Sequence, residues 1–169
     1  MKTLQKQKGF TLIELVVVIV ILGILAATAA PRFIDLQDDA QNSVLNGVEA
    51  ALEGAATLVY SKSLVEGNQD SNAADEDVTT NFGDVDILFG YPEATAANLQ
   101  LILDLDISNA DDDTDFTFHE ITGTPKSVVI YPQGREPSSG QAIGNNCSIV
   151  YTEVNAANGR PTIEPTPCT

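Results

Sequence analysis

The strongest pattern in the chain is an unbroken apolar run near its N-terminus. Residues 10–30 have the sequence FTLIELVVVIVILGILAATAA, in which Glu14 is the one charged side chain among 21 residues. A helix of this length is about 30 Å long, which matches the hydrocarbon thickness of a bilayer. The pattern therefore predicts a transmembrane helix over residues 10–30.

After Pro31 the pattern changes from apolar on all sides to apolar on one side. Apolar residues recur at three- and four-residue steps, and acidic residues lie largely elsewhere around the helical wheel. This spacing predicts that an amphipathic half of the helix follows over residues 31–65, with the helix itself continuing to about Ser63. Its inner face is predicted to pack on a globular head. The predicted inner face consists of Phe33, Leu36, Ala40, Val44, Val48, Ala51, Ala55, Leu58 and Val59.

Residues 66–169 form the predicted head. Residues 66–86 are acidic and rich in turn formers, which predicts a surface loop. A short helix is predicted from Glu93 to about Leu103. The fold class is thus α+β, with the long N-terminal helix covering one face of a small antiparallel sheet of three or four strands. Strand signals cover Phe116–Ile121, Ser127–Tyr131 and Cys147–Val154.

The charge balance excludes one class of partner. The chain has 8 basic and 24 acidic residues, a formal net charge of −16. Such a surface repels the phosphates of nucleic acids and of anionic lipids. We therefore expect no nucleic-acid partner for the head.

The flanking charges predict the orientation of the span and the state of the cysteines. Lys2, Lys6 and Lys8 precede the apolar run, so the N-terminus should stay cytoplasmic and the remainder should be exported. In an oxidising compartment Cys147 and Cys168 would pair, which closes a loop worth about 3 kcal/mol in the loop-entropy model. Two free thiols are the alternative.

Residues 1–9, MKTLQKQKG, form a polar leader in front of the span. A secretory signal would be cut after the apolar run, near Ala30. Pro31 is a poor residue at such a cut, and Glu14 is out of place in the apolar core of a signal. We therefore place the cut before the span.

The sequence Lys8-Gly9-Phe10-Thr11-Leu12-Ile13-Glu14, followed by an apolar run, resembles the processing signature of type IV prepilins and related pseudopilins. The resemblance implies that a prepilin peptidase of the inner membrane cuts after Gly9 and N-methylates Phe10. It also implies a type IV pilin-like fold and assembly of the chain with itself into a helical homopolymer by the pilus assembly machinery. The precursor would lie in the inner membrane with its head in the periplasm, and the product would be an extracellular pilus.

Glu14 needs a reason to lie in an apolar span. A carboxylate within the bilayer costs about 2.5 to 3.5 kcal/mol even on the most lenient insertion scale. The resemblance implies a partner for filament assembly, the positively charged amine of Phe10 on a neighbouring subunit. The alternative is a glutamate that caps the N-terminus of its own helix, and the two roles do not exclude each other.

Gly23 and Pro31 are the predicted weak points of the long helix. Glycine costs about 1 kcal/mol in a helix interior, and proline removes a backbone donor. In the resembled family, the segment between such positions can lose helicity when subunits pack into a filament. A gentle bend that is always present is the alternative.

Shorter stretches suggest a subgroup and leave alternatives open. The segments 29–33, 35–40 and 90–95 look like those of mannose-sensitive haemagglutinin (MSHA) pilins, which would imply a pilus for surface attachment and biofilm formation. One alternative is a major pseudopilin of a type II secretion system. Another is a membrane-anchored binding module that does not polymerise.

One acidic cluster has part of the spacing of a calcium loop. Asp111, Asp113 and Asp115 alternate as in an EF-hand, but Phe116 occupies the glycine position and Thr122 the glutamate position, so that motif fails. A looser calcium site that uses backbone carbonyls stays open, against a solvated acidic turn.

His119 is the single histidine and lies in a predicted strand. It has no second histidine for a metal site and no nucleophile motif nearby, which indicates a surface or packed strand residue. The chain has no glycine-rich phosphate loop. We therefore predict no catalytic residue, no metal site and no cofactor.

Overall fold

Helix α1, Leu12–Glu66, is the longest element of the computed structural model, which describes residues 9–72, 76–103, 105, 107–108, 114–137, 144 and 146–169. The helix has 55 residues and runs without a break through the positions of Gly23 and Pro31. In the single chain the two predicted weak points are therefore helical. Residues 1–8, which hold most of the predicted leader, lie outside the described part of the chain.

The chain divides into two compact units after Asp38. In the N-terminal unit, the segment Leu12–Ala29 has a mean hydropathy of 2.8 and none of it is buried. Its length and composition are those of a helix that can span a membrane. The C-terminal unit takes in the rest of α1 and all other elements.

The C-terminal unit contains two sheets and one further helix. Strands β1, β2 and β3 form an antiparallel sheet in that order, and β4 to β8 form a second sheet in sequence order. Among the described strands, only β4 and β5 pair in parallel. This confirms the predicted α+β class, with five strands where three or four were predicted. The remaining elements are β1 Asp77–Thr80, β2 Gly83–Leu88, β3 Tyr91–Pro92, α2 Ala96–Ile102, β4 Ile107–Ser108, β5 Phe116–Ile121, β6 Ser127–Pro132, β7 Ser148–Thr152 and β8 Thr162–Thr166.

The prediction of a surface loop over residues 66–86 was wrong. The segment contains β1 and most of β2, which pair as a hairpin. Val78, Val85 and Ile87 are fully buried and pack with Val59 of α1. Aspartates alternate with these residues and face solvent. The acidic composition therefore hid a period-two pattern that is typical of a half-buried strand.

Two boundaries also differ from the prediction. Helix α2 begins at Ala96, because the Thr95 side chain caps it by accepting a hydrogen bond from the backbone N–H of Asn98 at 3.3 Å. Strand β8, Thr162–Thr166, lies beyond the last predicted strand. Pro165 lies in β8, which is an edge strand, the usual place for a proline within a sheet.

The predicted inner face of α1 was wrong in part. Of its members from Val44 onward, only Val48 and Val59 are buried, and Leu58 is 72% exposed. The helix carries two adjacent apolar stripes. The C-terminal unit covers one of them and leaves exposed the stripe that includes Leu58. The buried positions of α1 are Leu45, Val48, Leu52, Ala56, Val59 and Ser63.

The main core lies between α1 and the five-stranded sheet. Leu45, Val48 and Leu52 of α1 belong to one buried cluster with side chains of α2 and of strands β4 to β7. The sheet contributes Val128, Ile130, Ile149 and Tyr151 to that cluster. Burial raises the pKa of the Tyr151 phenol, whose hydroxyl donates to the Pro92 carbonyl oxygen at 2.7 Å.

A buried carboxylate joins the entry of α2 to the sheet. Glu153 is 7% exposed, and its two oxygens accept hydrogen bonds from the backbone N–H groups of Ala94 at 3.2 Å and Lys126 at 2.9 Å. The Lys126 ammonium in turn donates to the Glu93 carboxylate at 2.6 Å, and this bond raises the pKa of Lys126. Because both oxygens have partners, the burial of Glu153 is compatible with a stable core.

Replacement of Leu52 by alanine tests this core. Leu52 is fully buried, so Leu52→Ala should lower the free energy of unfolding by about 2 to 5 kcal/mol. Leu58→Ala is the matched control, because Leu58 lies on the same helix and is 72% exposed. Urea unfolding of the full chain in detergent, followed by circular dichroism, measures both. Equal losses for the two variants would contradict the packing described here.

Candidate functional site

The N-terminus of α1 is built around Thr11 and Glu14. The Thr11 hydroxyl oxygen accepts a hydrogen bond from the Glu14 backbone N–H at 3.3 Å. The Glu14 carboxylate accepts from the Thr11 backbone N–H at 2.8 Å and from the Thr11 hydroxyl at 2.7 Å. This reciprocal arrangement is a capping box. In the single chain, Glu14 therefore has the capping role that the sequence left open.

The hydrogen bonds of the cap involve only one of the two oxygens of the Glu14 carboxylate. Both hydrogen bonds from Thr11 go to the same oxygen, Oε2, and neither engages Oε1. Thr11 is also neutral, so it supplies hydrogen bonds without cancelling the negative charge. The geometry is compatible with a second, cationic partner for the same carboxylate.

Gly9 and Phe10 precede the helix and are exposed. Phe10 is 89% exposed, and a Cβ added to Gly9 would meet no atom within 4 Å. Neither residue is in a helix or strand. Exposed, irregular backbone is the kind that peptidases cut most readily.

The segment that follows has an apolar surface on every side. The large side chains of Leu12–Ala29 range from 40% exposed at Val16 to 80% exposed at Leu12. A contiguous apolar surface of this size marks a site of contact with a membrane or with protein. Among its residues, Glu14 is the only one with an ionisable side chain.

The two cysteines are joined in the C-terminal unit. Cys147 and Cys168 form a disulfide bond, and both are buried. Asn42 of α1 adds a connection that the sequence did not indicate, because its Oδ1 accepts from the Cys168 backbone N–H at 2.7 Å. The end of the chain after β8 is thus tied both to the start of β7 and to α1.

The sites that the sequence analysis set aside gain no support as metal centres. His119 is exposed on β5, and Asp115 is exposed just before that strand. Asp111 and Asp113 lie outside the described residues. Within the described ranges, no group of three or more histidine, cysteine, aspartate or glutamate side chains is placed to hold a metal ion.

The N-terminal segment is similar to segments of known proteins. The family described as "Prokaryotic N-terminal methylation motif" matches residues 4–30. The chain is similar to the type IV narrow pilus major component PilA5 of Thermus thermophilus, with 54% identity over 53 residues, 31% of this chain and 46% of that protein. It is also similar to fimbrial protein Q of Moraxella bovis, with 43% identity over 74 residues, 43% of this chain and 46% of that protein.

A protein of a secretion system matches a segment of similar length. The type II secretion system core protein G of Klebsiella pneumoniae is 44% identical over 55 residues, 32% of this chain and 39% of that protein. No solved structure matches the chain. The chain covers less than half the length of each of these relatives. The N-terminal segment therefore carries a methylation motif and a sequence that are similar to those of both type IV pilins and type II secretion core proteins.

Proposed function

We propose that this chain is the structural subunit of a type IV pilus, matured by cleavage after Gly9 and methylation of Phe10. It would then polymerise through the apolar part of α1. The observation that carries the proposal is the position of Glu14, a carboxylate in the first turn of an apolar helix that is exposed on all sides. The precursor would lie in the inner membrane and the polymer outside the cell.

The electrostatics of a helix bundle explain why Glu14 would promote assembly. Thr11 satisfies hydrogen bonds of the carboxylate but leaves its charge in apolar surroundings, where an uncompensated charge is costly. Cleavage after Gly9 creates a positively charged amine on Phe10. If the amine of one subunit meets the Glu14 carboxylate of the next, two costly charges cancel and the axial register of the helices is fixed.

An MSHA-like role in attachment and biofilm formation is the finer part of the proposal. It is supported by the resemblance of short stretches, of which residues 90–95 are described in full. Gly90 has φ +82° and lies against Ser63, and Tyr91 stacks on Tyr60 with ring centroids 4.5 Å apart. Thr95 caps α2. In this chain the stretch therefore packs against α1 and begins α2.

A major pseudopilin of type II secretion is the second candidate, because a core protein G matches the same N-terminal segment. The disulfide that ties down the C-terminal region favours the pilin. Electron microscopy of cell surfaces separates the two candidates, since a long extracellular filament that disappears on deletion of the gene excludes a short periplasmic pseudopilus. A membrane-anchored module that never polymerises would give neither structure.

Substitutions at Glu14 and Thr11 separate charge pairing from helix capping. Glu14→Gln keeps an oxygen that can accept the hydrogen bonds of Thr11 but removes the charge, so we expect membrane insertion to persist and filaments to be lost. Thr11→Val removes the capping hydroxyl at a cost of about 1 kcal/mol and keeps the charge, so filaments should persist. Membrane fractionation and electron microscopy measure the two properties.

Two results would contradict the assembly role of Glu14. One is a Glu14→Gln variant that forms filaments as the unaltered chain does. The other is a Thr11→Val variant that loses filaments as completely as Glu14→Gln does, because capping would then explain both. Glu53→Gln is the matched control, since Glu53 is exposed on α1 outside the apolar segment.

The mature N-terminus gives an independent test of processing. Mass spectrometry of the chain purified from cells should find a first residue of Phe10 that carries one additional methyl group. This follows because Gly9 and Phe10 are exposed ahead of the helix, where a peptidase can reach the bond between them. A mature chain that begins at Pro31 would show ordinary signal-peptide cleavage and would overturn the proposal.

A further inference from the structure

The connection between β7 and β8 contains a turn with the dipeptide Asn158-Gly159. Asn158 is exposed and has φ +63°, a left-handed conformation that asparagine adopts more readily than most residues with a side chain. The backbone of the turn therefore favours an asparagine at this position.

Gly159 is required by close packing in the same turn. A Cβ added to it would lie 2.8 Å from Val154 Cγ2, which is closer than real Cβ atoms approach, and 3.0 Å from the Ala156 carbonyl oxygen. Val154 is 2% exposed and belongs to a buried cluster with Ala56 of α1, so it is not free to move aside. The turn thus keeps an asparagine directly in front of a glycine.

An asparagine in front of a glycine is prone to cyclise, because glycine has no side chain to obstruct its backbone nitrogen. In this reaction the Gly159 nitrogen loses its proton and bonds to Asn158 Cγ. The bond from Cγ to Nδ2 breaks, and Nδ2 leaves as ammonia. Water then opens the succinimide ring at one carbonyl to give aspartate, or at the other to give isoaspartate. The sequence of steps consumes only water.

We propose that Asn158 is a site of spontaneous deamidation, which adds a negative charge to this turn as the protein ages. The Asn158 side chain is exposed, so packing does not fix its rotamer. The Gly159 N–H donates to the Ala156 carbonyl oxygen at 3.0 Å, within a turn that lies outside both strands. The nitrogen can therefore be freed by local opening of the turn, without the loss of a helix or a strand.

The chain contains the same dipeptide a second time, at Asn46-Gly47. Both of these residues are also exposed, but they lie within α1. Their neighbours Leu45 and Val48 are buried against the head. A turn of helix must open against that packing before the Gly47 nitrogen can reach the Asn46 side chain. The two sites are thus alike in sequence and exposure, and they differ in backbone structure.

The two products would change the turn to different extents. Aspartate tolerates the left-handed conformation and adds only a charge. Isoaspartate also adds a CH₂ group to the main chain before Gly159, so the contact of Gly159 with Val154 could not be kept. In the proposed pilus, which would lie outside the cell, older subunits would accumulate the charge. That consequence alone rests on the proposed function.

Peptide mass spectrometry of the full chain tests the site. The chain is incubated in detergent at neutral pH, then reduced and digested with trypsin, which separates the two dipeptides into the fragments 33–62 and 136–169. We expect Asn158 to deamidate at least about tenfold faster than Asn46, the ratio that about 1.4 kcal/mol of additional opening free energy produces. Labelling with an isoaspartyl methyltransferase identifies the isoaspartate product.

Two controls separate the effect of structure from that of sequence. When the two fragments are incubated after digestion, neither dipeptide is held by the fold, so the two rates should be similar. Asn158→Gly removes the reactive amide and suits φ +63°, so fragment 136–169 of this variant should gain no charge during incubation of the full chain. Thermal unfolding checks that the variant remains folded.

Three results would overturn the proposal. The first is an equal rate at Asn158 and Asn46 in the full chain. The second is a fragment 136–169 that gains charge only after digestion, because the hydrogen bond to Ala156 would then protect the turn. The third is an undiminished gain of charge in Asn158→Gly, which would place the reaction at another residue. Each of these results leaves the proposed pilus function standing, since its tests concern Glu14 and the mature N-terminus.

Discussion

An uncompensated carboxylate in apolar surroundings is the constraint on which the rest of the structure depends. Glu14 is the only ionisable residue of an 18-residue apolar segment, and among the described residues its own chain offers it hydrogen bonds from Thr11 but no cation. In the proposed assembly, a cation comes from the amine that cleavage creates at Phe10 of an adjacent copy. The capping box would then orient the carboxylate before the partner arrives, so capping and pairing would be successive uses of one group.

The same helix carries two surfaces that a single chain leaves without protein partners. One is the apolar segment Leu12–Ala29, and the other is the stripe that includes Ala51 and Leu58. The second surface would be a liability in a monomer, because exposed apolar surface promotes association, whereas lipid can cover the first. The net charge of −16 disfavours non-specific association between copies of the chain. A chain with these properties is better suited to an ordered polymer than to a solitary anchor.

The features that could be predicted from the sequence are set by local patterns. The features that could not be predicted are set by the fold. Gly9, Phe10 and Glu14 are close together in sequence, and strand β5 matched its prediction residue for residue. The buried stripe of α1 could not be chosen, because apolar spacing describes Leu52 and Leu58 equally well until the sheet covers one of them. The bond between Asn42 and Cys168 joins residues 126 apart, so no local signal announces it. Val78 and Val85 alternate with acidic residues, as in a strand. The acidic composition of the segment was given more weight, so a loop was predicted there.

High-resolution electron cryomicroscopy of purified filaments tests the central claim most directly. The account predicts that a Glu14 carboxylate oxygen lies roughly 2.7 to 2.9 Å from the Phe10 amine nitrogen of a neighbouring subunit, the usual length of a charge-assisted hydrogen bond. A filament in which Glu14 contacts only Thr11 of its own chain, with the neighbouring amine nitrogen bound elsewhere, would contradict it.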